Sequence, residues 1–118
     1  MILHLVDEVT WLSLAPGQML KPESLAAEGF IHCTSVDDLL LVVANAFYCS
    51  VPGGVLALTI DPSLVESEIR YELPPGTDPL AEVAAFPHIY GPLDPAAVVG
   101  IRRFVRDGDG TYIGFTER

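Results

Sequence analysis

Gly29-Phe30-Ile31-His32-Cys33-Thr34-Ser35 is the stretch whose reading decides the fold. Gly29 tolerates a positive φ and can end a helical turn. Phe30, Ile31 and Cys33 read as a buried strand. Ser35, followed by Asp37 and Asp38, reads as the N-cap and acidic first turn of a helix. Side chains alternate along a strand, so His32 and Thr34 share one side. The polar side chains thus gather where the strand meets a helix, whose first amides are unpaired and electropositive. Two readings stand at this point. One is a binding site at the junction; the other is a core histidine satisfied by a carbonyl, with a helix cap beside it.

Upstream, Met1–Val6 reads as a strand with Ile2, His4 and Val6 on one face and Leu3 and Leu5 on the other. Apolar residues on both faces predict a central strand covered on each side, which places His4 inside or in a cleft. Asp7 is an N-cap candidate for a short helix carrying Trp11, Leu12 and Leu14, and Pro22–Glu28 predicts a second helical turn closed by Gly29. Downstream, residues 36–48 carry the best helical stripe, Leu39, Leu40, Val43, Ala44 and Phe47. Strands are expected at Val55–Ile60, about Glu68–Leu73, around His88-Ile89-Tyr90, at Val98–Arg106 and near Tyr112–Phe115. Residues 74–87 hold four prolines and read as a long loop with a short turn at Leu80–Ala84. Asp94-Pro95 reads as a cap followed by proline at the first helical position. The pattern is α+β, strand-rich, with two main helices in the N-terminal half.

A chain of 118 residues fits a single domain, and 50% hydrophobic with 19% charged residues describes a globular core. Six Lys+Arg against sixteen Asp+Glu give a formal charge of −10, which repels phosphate backbones and argues against general nucleic-acid binding. The longest apolar run, near Leu39–Phe47, is too short to span a bilayer, and the N-terminus lacks the features of a signal peptide. Cys33 and Cys49 form neither a disulfide framework nor a paired metal motif, so a reduced, cytoplasmic setting is the expectation. No internal repeat, low-complexity segment or linker stands out.

All three histidines, His4, His32 and His88, fall in apolar strand segments, which predicts a shared polar cleft. Three imidazoles suit zinc, but no ligand spacing supports a metal, and none is expected. Histidine-based phosphoester chemistry with two His-x-Thr/Ser strands finds its pattern at His32-Cys33-Thr34 but not at His88-Ile89-Tyr90. A Cys33–histidine nucleophilic pair is disfavoured, because Cys33 points away from His32 on a strand. Glu72 has two readings: it pairs with Arg70 two residues earlier, or it orients a ligand hydroxyl while Arg70 holds an anion.

Two motifs, Gly29–Thr34 preceded by Pro22 and Ser24–Glu28, and Phe86-Pro87-His88-Ile89-Tyr90-Gly91-Pro92-Leu93, resemble the bacterial domain-of-unknown-function family nine-fifty-two. His4 and Glu72 also fall where that family's pattern has them. The resemblance covers roughly residues 2–105, with 106–118 as a C-terminal extension. It implies a split, strand-rich, ADP-ribosyltransferase-like fold that binds NAD in a cleft. His4 would be the first-strand residue, and His32 with Thr34 and Ser35 the second motif. The late glutamate of that superfamily has no clean match: His88 occupies its place and Glu72 comes earlier. The resulting expectation is an ADP-ribosyltransferase-like protein binding NAD or a related nucleotide, with His4, His32, Glu72 and His88 catalytic. Ser24, Thr34, Ser35, Arg70 and Tyr90 would bind the ligand. The alternatives are a non-catalytic small-ligand-binding module on the same fold and a histidine-dependent phosphoesterase.

Overall fold

The computed structural model describes residues 1–35, 37–72 and 86–117. In chain order the described elements are β1 (Ile2–Asp7), α1 (Glu8–Leu12), α2 (Glu23–Glu28), β2 (Ile31–His32), α3 (Asp38–Phe47), β3 (Val55–Ile60), β4 (Glu68–Tyr71), β5 (Pro87–Tyr90), β6 (Val98–Arg106) and β7 (Tyr112–Glu117). The strands form a four-stranded sheet in the order β1-β3-β6-β7 and a three-stranded sheet in the order β2-β5-β4. Every pairing is antiparallel. The class is α+β.

The first sheet is the central layer, because β1 and β3 are apolar on both faces. Ile2 and Val6 of β1 and Leu56, Leu58 and Ile60 of β3 face the second sheet and pack with its Ile31 and Ile89. Leu3, Leu5, Val55 and Ala57 face the other way, onto Leu40 and Ala44 of α3 together with Phe104 and Tyr112. The layers are therefore α3, the four-stranded sheet, and the three-stranded sheet. The double-sided reading of the first strand follows from period-two alternation with no polar face to give to solvent.

The two sheets meet where β1 passes the end of β2. Leu3 and Thr34 exchange backbone hydrogen bonds of 2.7 and 2.9 Å, and this bridge stands alone. Continuing its register would set Leu5 opposite His32, but the strands part there. The groups left by the parting find side-chain partners. The His32 carbonyl accepts from His4 Nδ1 at 2.7 Å, and the Leu5 carbonyl accepts from the Tyr48 hydroxyl at 3.2 Å. A buried carbonyl without a partner would cost about 1–3 kcal/mol, so these two side chains stabilise the split.

Several expectations need correction. Of the helices expected in the N-terminal half, only α3 exceeds six residues; α1 and α2 are short. Asp7 does cap α1, accepting from Thr10 N at 3.0 Å. Ser35 does not cap α3: the N-cap is Asp37, with φ −55 and ψ −38 and no side-chain cap bond. A residue already in helical geometry cannot turn its side chain back onto the next amides as an extended cap does. Phe47, assigned to the apolar stripe, is 75% exposed at the last residue of α3. The loop and turn assigned to residues 74–87 lie mostly outside the described residues. The C-terminal extension, residues 106–117, is part of the same domain: β7 pairs with β6, and Tyr112 is buried in the core with Asn45 bonding its backbone on both sides.

Two stability predictions follow from this geometry. Burial holds His4 neutral, lowering its pKa from 6.5 to about 4, against the smaller raising effect of its bond to the His32 carbonyl. The unfolded chain takes up a proton near pH 6.5 that the folded chain refuses until about pH 4, so this group lowers stability as pH falls through that window. At about 1.4 kcal/mol per pKa unit, the loss is roughly 3 kcal/mol. Urea titrations at pH 7, 5.5 and 4.5 should show this slope, and His4→Phe should be less stable at pH 7 and flatter across the window. At Gly91, with φ +158, an added Cβ would sit 2.9 Å from Ser67 Cβ and closer still to its hydroxyl. Gly91→Ala is expected to lose about 1–3 kcal/mol, and Ser67→Gly in the same chain should recover part of it, as read by thermal melts.

Candidate functional site

The outer face of the three-stranded sheet carries the candidate site. Ile31, Ile89 and Ile69 line up across β2, β5 and β4 and turn inward to the core. Alternation then sends Phe30, His32, His88, Tyr90, Glu68, Arg70 and Glu72 to the opposite face. His32, His88 and Arg70 occupy one cross-strand row, and Glu68 stands opposite Tyr90 in the next. The pairing continues to Glu72, whose amide donates to the Phe86 carbonyl at 3.1 Å.

Glu72 organises one half of the face. Its Oε1 accepts from His88 Nδ1 at 3.1 Å and, in a short hydrogen bond, from the Tyr90 hydroxyl. These two donors, the tyrosine first, hold the Glu72 carboxyl below the usual carboxylate range. The same bond pushes the Tyr90 phenol above its ordinary value, so it stays a donor at neutral pH. A carboxylate only accepts, so His88 Nδ1 carries the proton of this bond. Arg70 lies over the Tyr90 ring, 4.3 Å from its centroid, and is held by Glu68 at 2.7 Å. Of the two readings of Glu72, pairing with Arg70 gives way: Arg70 pairs with Glu68, and Glu72 is drawn to His88 and Tyr90 of β5.

The other half centres on His32, whose Nε2 meets Glu28 Oε2 at 2.5 Å. Glu28 lies four residues earlier, at the end of α2, and Gly29, at φ 87, reverses the chain so that the carboxylate comes beside the strand. Phe30 binds the halves together. Its ring stacks on His88 at 4.3 Å, meets His32 edge-on at 4.8 Å and lies tilted against Tyr90 at 5.2 Å. The two imidazoles are 5.4 Å apart and nearly perpendicular. His88 is 6% exposed and His32 52%, so one ring is dry and the other wet.

The expected site residues are distributed as follows. His32, His88, Glu72, Tyr90 and Arg70 come together on the outer face. His4 is brought close, but its ring lies on the inner side of the split and touches the backbone of His32, not its imidazole. Thr34 is buried at the bridge to Leu3. Ser24 is half-buried in α2. Ser35 lines a separate open groove with Met1, Leu3, Asp37, Asp38, Thr59 and Arg102. The Asp37 and Asp38 carboxylates already complement the start of α3, which makes that junction unwelcoming to a phosphate. Burial pushes the Cys33 thiol well up and out of reach of nucleophilic use. Among the described residues no group of three or more His, Cys, Asp or Glu side chains gathers as a metal site.

Phe30 and Glu28 were missed as site residues. A signal for Phe30 was available: Phe30-Ile31-His32-Cys33-Thr34 and Phe86-Pro87-His88-Ile89-Tyr90 share the pattern Phe-x-His-x-hydroxyl. Antiparallel pairing of His32 with His88 relates the two copies by a local two-fold.

The family model for proteins of unknown function designated DUF952 matches residues 5–101, and the chain belongs to that family. The fold is similar to that of protein CC0527 from Caulobacter crescentus, known from an X-ray crystal structure. Identity is 19%, with 95% of this chain and 92% of that chain covered and a TM-score of 0.72. A double mutant of the same protein gives 20% identity, the same coverage and a TM-score of 0.70. No curated protein matches.

The Glu72 network has a spectroscopic consequence. In alkaline titration followed by tyrosinate absorbance, Glu72→Gln should bring one tyrosine down toward its ordinary pKa. An unchanged curve would mean that the carboxylate does not hold the Tyr90 phenol.

Proposed function

We propose that the outer face of the three-stranded sheet binds NAD or a related nucleotide, in an ADP-ribosyltransferase-like fold. The observation that carries this reading is the cluster of Phe30, His32, His88 and Tyr90 around a Glu72 carboxylate. Rings of this kind offer a stacking surface for a planar base, worth about 1–3 kcal/mol per base. Glu72 and His32 supply polar edges for ribose hydroxyls, and Arg70 is the cation nearest the row. The pair of antiparallel sheets parting at β1 and β2 also supports the superfamily comparison.

A non-catalytic binder on the same fold is the competing reading, and His4 favours it. The first-strand histidine spends its Nδ1 on a backbone carbonyl and stays neutral, so in this conformation it acts on the fold. Calorimetric titration with NAD, ADP-ribose and nicotinamide tests the proposal. Binding should weaken at least tenfold, about 1.4 kcal/mol, in His32→Ala, with its melting temperature close to that of the parent. Phe30→Ala should weaken it comparably. No heat with any of the three at millimolar concentration removes the nucleotide reading. Binding without nicotinamide release leaves the binder.

A further inference from the structure

We infer that His32 and His88 form a general acid–base pair for the hydrolysis of a phosphodiester. This rests on the same face as the nucleotide proposal but not on the choice of NAD. The two histidines stand directly opposite each other on neighbouring strands. Cys33 N donates to the Pro87 carbonyl, so the hydrogen-bonded positions flank them and His32–His88 is a non-hydrogen-bonded pair, where opposite side chains approach most closely. Each imidazole has one nitrogen committed to a carboxylate: His88 Nδ1 to Glu72 and His32 Nε2 to Glu28. A carboxylate on one nitrogen fixes the tautomer and directs chemistry to the other. The nitrogens left to act are His88 Nε2 and His32 Nδ1.

The number of histidines selects the reaction. Breaking a glycosidic bond to nicotinamide releases a leaving group that needs no proton, so one base on the entering nucleophile suffices. In-line displacement at a phosphodiester needs two proton transfers, one from the entering oxygen and one to the departing oxygen, on opposite sides of phosphorus. The two imidazoles stand 5.4 Å apart on one face, and each keeps one nitrogen for such a transfer.

The step balances as follows. Water attacks phosphorus, and its proton passes to His88 Nε2 as the new P–O bond forms. The P–O bond to the leaving group breaks, and protonated His32 gives its Nδ1 proton to the departing oxygen. The products are a phosphomonoester and an alcohol. His88 then returns its proton by way of the next water to enter the site, and the exposed His32 takes one up from solvent. Glu72 acts through His88 and is a positioning residue.

The test uses the full chain with thymidylyl-3′,5′-thymidine, whose departing alkoxide needs a proton, and with thymidine 5′-phosphate as the monoester control. Release of thymidine from the diester, read by chromatography, should follow a bell-shaped pH profile. His32→Asn and His88→Asn should each lower kcat about 100-fold and should each remove one limb of the bell. Glu72→Gln should lower kcat with little change in KM. Circular dichroism and thermal melts of each variant separate lost chemistry from lost fold. A parent rate no greater than that of the double histidine variant overturns the inference, as does full activity in either single variant. Activity abolished by a chelator and restored by zinc overturns it in favour of a metal. Calorimetry with NAD reads the nucleotide proposal separately, so either can fail alone.

Discussion

The parting of β1 from β2 is the constraint on which the rest of the molecule depends. One backbone bridge, Leu3 with Thr34, ties the two sheets, and beyond it the strands diverge. Divergence within a core leaves carbonyls that must be satisfied or the fold pays their desolvation. His4 and Tyr48 take the His32 and Leu5 carbonyls, one from each side of the split. Because the sheets separate there, an apolar layer of Ile2, Val6, Leu56, Leu58, Ile31 and Ile89 fits between them.

That inner layer determines what the outer face can be. With Ile31, Ile89 and Ile69 turned inward from β2, β5 and β4, the residues between them are forced out together. They form a compact array of aromatic, imidazole and carboxylate groups. His4 belongs to the architecture beneath this array and the other two histidines belong to the array itself. A single residue, His32, joins both: its carbonyl holds the split through His4, and its ring faces outward to Glu28 and His88.

Charge has a local pattern that the overall acidity conceals. Four of the described arginines are held in place by acids or carbonyls: Arg70 by Glu68, Arg102 by Asp37, Arg103 by Glu8, and Arg106 by the carbonyls of Tyr48 and Val51. On the candidate face the cation nearest the histidines is therefore already neutralised by Glu68. Any anionic ligand there depends chiefly on hydrogen bonding and stacking, since a paired guanidinium at a solvated surface attracts weakly.

The sequence by itself determined the elements whose signal is local. Alternation marked β1, β3 and β6, Asp7 and Asp94 marked their turns, and Gly29 marked the end of α2. It also brought forward His32, His88, Glu72, Arg70 and Tyr90 as residues of interest. Only the tertiary structure decided which of them meet. Period-two alternation says which residues share a face of one strand, but register between strands comes from core packing. That register sets His32 against His88, and Glu68 rather than Glu72 beside Arg70. The N-cap of α3 falls at Asp37 and not at Ser35, and Thr34 beside it is tied to Leu3, 31 residues away in sequence. His4 went to the backbone because the carbonyl it satisfies is opened only when the two strands part.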